Sequence, residues 1–339
     1  MRPIFQPRLV NGPFADPALF VDVLFDRRAL LFDLGDITAL APRKILRASH
    51  VFVTHAHMDH FVGFDRLLRI CLGRARPLKL FGPAGFIDRV EHRLASYVWN
   101  LVENHSVDLA ITACEISADG SHLSWSTFSS RERFLRRDRA AEALQDGLLL
   151  DEPALQVRCA VLDHGIPCLG FALQEPTHVN VWPNRLAQLG LAPGPWLKDA
   201  KRAVITGAPD DTMITVRCLE GSATREDHVP LGELRSAALQ SVPGQKIAYV
   251  TDVACHASNL QRIRQLAANA DLLFIESAFL ARDAGEARRK NHLTASQAGS
   301  IARDCGAHEV IPFHFSPRYA DCEAALVDEV RSAFRGVAA

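Results

Sequence analysis

Several features that would place a chain outside the soluble globular class are absent here. The eight cysteines (71, 114, 159, 168, 218, 255, 305 and 322) form no C-x-x-C pair. In a chain of this length they read as reduced, mostly buried thiols in a reducing compartment and not as a disulfide framework. No stretch approaches the roughly 18 consecutive apolar residues that a membrane span needs. The opening MRPIFQPRLVNGPF has no apolar core of the kind a signal peptide carries. Together these absences give the expectation of a cytoplasmic protein. Charge of neither sign dominates: the net charge is −1 and the isoelectric point near 6.9. That excludes a globally basic nucleic-acid binder, although a local patch of a few Lys or Arg is enough for phosphate contacts. Low-complexity segments and flexible linkers are also missing. What remains, 339 residues with 48% apolar and 23% charged composition, is ample for a sizeable core.

The densest chemistry lies in VFVTHAHMDHFVG, residues 51–63. An apolar, β-branched run predicts a buried strand, and it leads straight into His55, His57, Asp59 and His60. The spacing of Phe61, Phe64, Leu67, Leu68 and Cys71 then has helical period, so the polar cluster sits on a strand-to-helix connection. Three imidazoles and a carboxylate packed this closely suit zinc or a similar divalent ion, and their density suggests two ions.

Around this stretch the chain reads as alternating elements. Residues 19–33 predict two strands joined near Asp26–Arg28, and LKLFG predicts another strand. Residues 84–101 predict an amphipathic helix with Ile87, Val90, Leu94, Val98 and Leu101 on its apolar side. From 107 to 173 the pattern is β, interrupted by an arginine-rich segment at 131–144 that reads as a charged, solvated surface helix. Residues 176–204 predict an external excursion. After KIAYVTD (245–252) helices at 258–268, 294–304 and 321–335 alternate with the strands DLLFIES and EVIPFHF. Period-two strands in the middle with βα units on both sides predict a four-layer α/β fold, an αββα sandwich spanning 1–339 as one domain.

Two ions need ligands from more than one loop. His164 follows the predicted strand VRCAVLD, Asp252 follows KIAYVT, and His314 ends EVIPFHF. With the first cluster they make seven groups, enough for two ions with positions left for water.

The motif THAHMDH, followed in order by His164, Asp252 and His314, resembles the metallo-β-lactamase superfamily. The stretches LDHGIPCLGFALQE, LGLAPGPWLKDAKR, DLLFIESAF, NHLTASQAGSIARDCGA and HFSPRY more narrowly resemble ribonuclease Z, the tRNA 3′-end endonuclease, in the same order over about residues 29–320. The resemblance implies that His55, His57 and His164 hold one zinc, that Asp59, His60 and His314 hold the other, and that Asp252 bridges both; Mn²⁺ or Fe are alternative metals. It implies attack on a phosphodiester by a metal-bridging hydroxide, since paired cations acidify a bridging water and clamp a phosphoryl oxygen. His292 falls at the family's extra histidine, which bonds the phosphoryl oxygen or protonates the leaving oxygen. Asp59 is a second candidate for acid–base work. Asp33 and Glu276 correspond to carboxylates that steady the ligands. Ser316, Arg318, Lys198, Lys201 and Arg202 are candidate phosphate contacts, and a homodimer acting on tRNA precursors is the implied assembly.

The chain departs from this pattern in three places. It lacks the family's glycine-rich opening and the loop after it, its YVTDVACH lacks the flanking residues usual around the bridging aspartate, and it carries the 121–150 insertion. These departures leave the metal chemistry intact and bear on the substrate. A hydrolase of a small-molecule ester, lactone, thioester, sulfate ester or cyclic phosphodiester is therefore the alternative, followed by a non-catalytic zinc-binding protein. A structural site needs only four closed ligands and no spare histidine, which speaks against the last. Of the remaining histidines, His256, four residues after Asp252, lies nearest the proposed ligands in sequence.

Overall fold

A computed structural model describes residues 4–24, 26–74, 77–220 and 223–337. The chain forms two compact units, Met1–Gln174 with Gln245–Ala339, and Glu175–Gly244. In the first unit, strands β1 (Phe5–Leu9), β2 (Leu19–Val23), β3 (Arg28–Phe32), β4 (Ala48–Phe52), β5 (Leu78–Pro83), β6 (Ala110–Ile116), β7 (His122–Ser129) and β8 (Arg137–Ala143) form one sheet in chain order. The chain then builds β9 (Leu148–Glu152), β10 (Leu155–Asp163) and β11 (Pro167–Gln174) of a second sheet. It leaves through the second unit, with β12 (His178–Val181), β13 (Met213–Glu220), β14 (Ala223–Pro230) and β15 (Leu239–Val242), and returns as β16 (Lys246–Val250), β17 (Leu272–Glu276) and β18 (Glu309–Phe313). The second sheet runs β18-β17-β16-β11-β10-β9.

Alternation along the strands decides the layers. In β2 and β3, Leu19, Val21, Leu30 and Phe32 enter the core shared by the two sheets, while Phe20, Ala29 and Leu31 enter the one beneath the helices. A side chain every second residue on each face makes one strand serve two cores. Phe32, Phe52 and Phe81 stack on one another between the sheets at 5.1 and 4.9 Å. On the far side, Val250, Leu273 and Ile275 pack against helices Ala257–Ala267 and Ala295–Asp304. Helix, sheet, sheet and helix are thus separated by three cores, and the αββα expectation holds for this unit.

Three local expectations are revised. The segment at 131–144 is a 3-10 turn at Ser130–Glu132 followed by the edge strand β8, not a helix. Arg133 and Phe134 have positive φ, 53° and 56°, which no α-helix tolerates. Every residue of β8 is exposed, and its alternating charges are the kind that keep an edge from pairing further. The helix expected over 84–101 spans Phe86–Ala95, so Val98 and Leu101 are 86% and 65% exposed and take no part in its buried face. The excursion expected at 176–204 is the first half of the larger second unit. That unit has its own core around Val179, Leu186, Trp196, Val216 and Leu234.

Candidate metal centre

All the loops that carry the predicted ligands leave the carboxyl ends of strands. β3 and β4 run parallel, as do β16, β17 and β18, and β10 shares their direction by pairing antiparallel to β11, which pairs antiparallel to β16. Asp33, Asp252 and His314 each stand just past a strand end with positive φ, 62°, 39° and 57°. Non-glycine residues rarely adopt this conformation, and it is held where the surroundings over-determine it.

Asp33 is fully buried and is the anchor of the first loop. Its Oδ1 accepts from the Thr54 N–H at 2.7 Å and the Thr54 hydroxyl at 2.9 Å; its Oδ2 accepts from the Tyr249 hydroxyl at 3.0 Å and faces His60 Nδ1 at 2.9 Å. The bond to His60 holds a proton on Nδ1 and turns Nε2 toward Asp252. His164 is treated in the same way, since its Nδ1 donates to the Asn291 carbonyl at 2.9 Å. Ring nitrogens of four histidines converge on Asp252. Its Oδ2 lies 3.5 Å from Nε2 of His55, His60 and His164 alike, and its Oδ1 lies 3.0 Å from His314 Nδ1. Asp59 Oδ2 lies 3.4 Å from His60 Nε2 and 3.3 Å from His314 Nε2.

The geometry brings together all seven predicted ligands. Donor atoms of His55, His57, His164 and Asp252 lie within 4.8 Å of one another, and so do those of Asp59, His60 and His314. His60 Nε2 and His314 Nδ1 are buried yet make no hydrogen bond, although carboxylate oxygens stand nearby. A buried polar atom without a partner is costly, and nitrogens aimed at a common point instead of at each other fit a cation between them. Burial works against a charged His60, yet the carboxylates of Asp252 and Asp33 raise its pKa well above the ordinary value. Asp252 is held well below the carboxylate range by His314 and His60, against burial. Burial and then the neighbouring His60 push His55 down to about 2. The buried carboxylates of Asp33 and Asp252 thus favour positive charge at the centre of the site, on His60 itself or on a cation beside it.

His292 stands beside this cluster, its ring 4.9 Å from that of His164 and 5.6 Å from that of His314. Nδ1 lies 2.8 Å from Glu276 Oε2, and Glu276 Oε1 accepts from the Val253 N–H at 2.7 Å. Burial opposes a charge on His292, but the Glu276 carboxylate prevails and raises its pKa to about 9. Thr294, two residues on, caps helix Ala295–Asp304 with Gln297 in a reciprocal capping box.

A cavity of about 280 Å³ opens onto Asp59, His292 and His314 and includes Ser316. Its wall also contains Phe14 and Lys290, which sequence reasoning passed over. Lys290 could have been noticed as the cation two residues before His292, but nothing in its own surroundings marked Phe14. Arg318 ion-pairs with Asp283 at 3.7 Å and lies over the Phe279 ring at 5.7 Å. Lys198, Lys201 and Arg202 are on helix Trp196–Ile205 of the second unit. His256 caps helix Ala257–Ala267 by accepting from the Asn259 N–H and faces Asp163 at 3.2 Å, outside the three donor groups that could hold a metal.

Comparison with known proteins shows which family the chain resembles. Residues 198–315 match the family model of the beta-lactamase superfamily domain. Ribonuclease Z of Deinococcus radiodurans is 32% identical over 320 residues, covering 93% of this chain and 91% of that one. Ribonuclease Z of Anoxybacillus flavithermus is 28% identical over 337 residues, covering 95% and 88%. Among solved structures, the short form of human tRNase Z aligns with a TM-score of 0.50 at 17% identity over 93% of both chains. The metallo-beta-lactamase fold protein YhfI from Bacillus subtilis aligns at 0.53 with 15% identity over 97% of this chain and 94% of that one. These last two are likenesses of fold.

Proposed function

The chain belongs to the ribonuclease Z family, and on that premise we propose that it is a two-metal phosphodiesterase that cleaves RNA at the 3′ side of tRNA precursors. The observation that carries the reading is the convergence of the seven predicted donor groups, with His292 and Glu276 directly alongside. His55, His57 and His164 would hold one cation and Asp59, His60 and His314 the other, with Asp252 between; zinc suits this nitrogen-rich set best. When bound, such a pair supplies an acidified water and neutralises charge on the phosphoryl oxygens.

The chain's own residues supply the rest. With Nδ1 committed to Glu276, His292 presents Nε2 to the cavity. Its raised pKa keeps a proton there at neutral pH, to be given to the departing 3′ oxygen. Asp59 is an ionised carboxylate, held well below its ordinary range by the hydrogen bond to His314 and the nearby His60 ring despite burial. So low a basicity suits orienting a water better than taking its proton. Lys290 and Ser316 line the cavity and would receive the phosphate, while Asp33 and Glu276 hold His60 and His292 in place. Lys198, Lys201, Arg202 and Arg318 would meet RNA backbone, in a homodimer.

The near-neutral net charge favours a second reading, a hydrolase of small esters or lactones. The test is to offer tRNA precursors with 3′ trailers beside bis(p-nitrophenyl) phosphate and a lactone panel, with metal analysis of the same preparation. Precursor cleavage with close to two metal ions per chain supports the first reading. Hydrolysis of the small substrates with untouched precursor moves the assignment to the second.

A further inference from the structure

A second polar cavity, of about 520 Å³, lies on the helix-covered face of the second sheet and takes no part in the metal centre. Arg158 of β10, Gln174 of β11 and Lys246 of β16 reach it from the sheet, while Arg262 and Gln265 reach it from helix Ala257–Ala267. The register explains why they meet. Arg158 pairs with Ala172 and Gln174 pairs with Lys246, so these side chains stand on one face of three adjacent strands. Ala160 and Ala172, both small, leave the space above the sheet open. Arg158 is six residues before His164 in the chain, about 20 Å at the rise of an extended strand.

The way the cations are held distinguishes this cavity from an ordinary charged surface. Arg158 donates to the Asp146 carbonyl at 3.0 Å, Lys246 to the Ala268 carbonyl at 2.9 Å, and Arg262 to the Val161 carbonyl. A main-chain carbonyl fixes a side chain without neutralising it. Among the described residues, none of the three forms an ion pair with a carboxylate, and the one acid in the wall, Asp146, offers Arg158 its backbone oxygen. Each guanidinium keeps further N–H donors and the ammonium two more for whatever enters. Burial, with the charge of Arg158 added, lowers the proton affinity of Lys246, and an anion seated between them would relieve both. Arg and Lys anchored this way bind phosphate oxygens through charge-assisted hydrogen bonds. The volume falls within the range of small-molecule pockets, and the amides of Gln174 and Gln265 can donate to or accept from a base or sugar.

We propose that this cavity is a non-catalytic binding site for a nucleotide-sized phosphorylated anion, with Arg158, Lys246 and Arg262 holding the phosphates. The test is hydrogen exchange on the full-length, metal-loaded protein with ADP, pyrophosphate and adenosine as probes, joined to titration calorimetry. ADP and pyrophosphate should protect amides in 155–162 and 258–268, and adenosine should not. Arg158→Gln with Arg262→Gln should weaken ADP binding at least tenfold, since charge-assisted contacts are lost. Gln265→Glu changes only an exposed helix position and should weaken it as well, so the result does not depend on how well the double variant folds. Protection confined to 53–61 and 252–256 would place the probe at the metal centre and overturn the proposal. Equal protection by adenosine, or affinity unchanged in Gln265→Glu and in a folded double variant, would also overturn it.

Discussion

At the scale of the residue, the site depends on groups that never meet substrate. Asp33 accepts from Thr54, Tyr249 and His60 at once. Asp33→Ala would strand these buried donors and release the His60 ring. A loss of about 3–5 kcal/mol is expected, read by urea denaturation, together with metal content below that of the wild type. His292→Ala should instead leave metal content unchanged and lower kcat by about 10²–10⁴-fold, the usual worth of a general acid. The sign of its pH dependence follows from its raised pKa of about 9. The proton, and the stabilising pair with Glu276, are fully present below the free-histidine value and are lost as pH rises through 9. Activity should therefore have an alkaline limb near pH 9 that is missing from the His292→Ala residual rate; a limb retained in the variant would belong to another group.

At the scale of the element, β4 shows how one strand serves fold and stability at once. Val51 faces the helices, Phe52 faces the second sheet, and His50 is buried against the rings of Phe52 and Phe81. Burial, with the charges of Lys79 and Arg28 added, lowers the His50 pKa to about 3. Its neutral ring costs nothing above pH 6.5. As pH falls from 6.5 toward 3 the unfolded chain gains a proton that the folded one refuses, and stability should fall by up to about 1.4 kcal/mol per pH unit. His50→Phe should flatten that part of a plot of urea stability against pH relative to wild type. The charged edge strand β8 carries a different lesson. Its arginines suggested a helix, but Arg136 ion-pairs with Asp88, Glu91 and Asp138, and the two positive-φ residues before it turn the chain into an edge.

At the scale of the whole molecule, the second unit is inserted between two strands that pair with each other, with Gln174 opposite Lys246 in the β11–β16 ladder. Replacing 175–245 by a short Asn-Gly turn should let that hairpin close and leave the sandwich folded. Hydrolysis of bis(p-nitrophenyl) phosphate should persist within about tenfold, and cleavage of tRNA precursor should drop far more if Lys198, Lys201 and Arg202 hold RNA. Equal loss of both activities would show that the unit supports the catalytic centre itself.

The sequence by itself determined the sandwich and the identities of the residues that gather at its candidate metal centre. Strand alternation and His-x-His-x-Asp-His are local patterns, and local patterns survive in one dimension. Candidate ligands such as Asp252 and His314 were legible because each follows an apolar strand. The tertiary structure decided what depends on distant segments meeting: which nitrogen of His60 turns toward Asp252, because Asp33 takes the other, and what Glu276 does, because β17 places it against His292. It also decided that Arg158, Lys246 and Arg262 share one cavity. No spacing in the chain announces that, since the three come from two strands and a helix that only sheet register brings together.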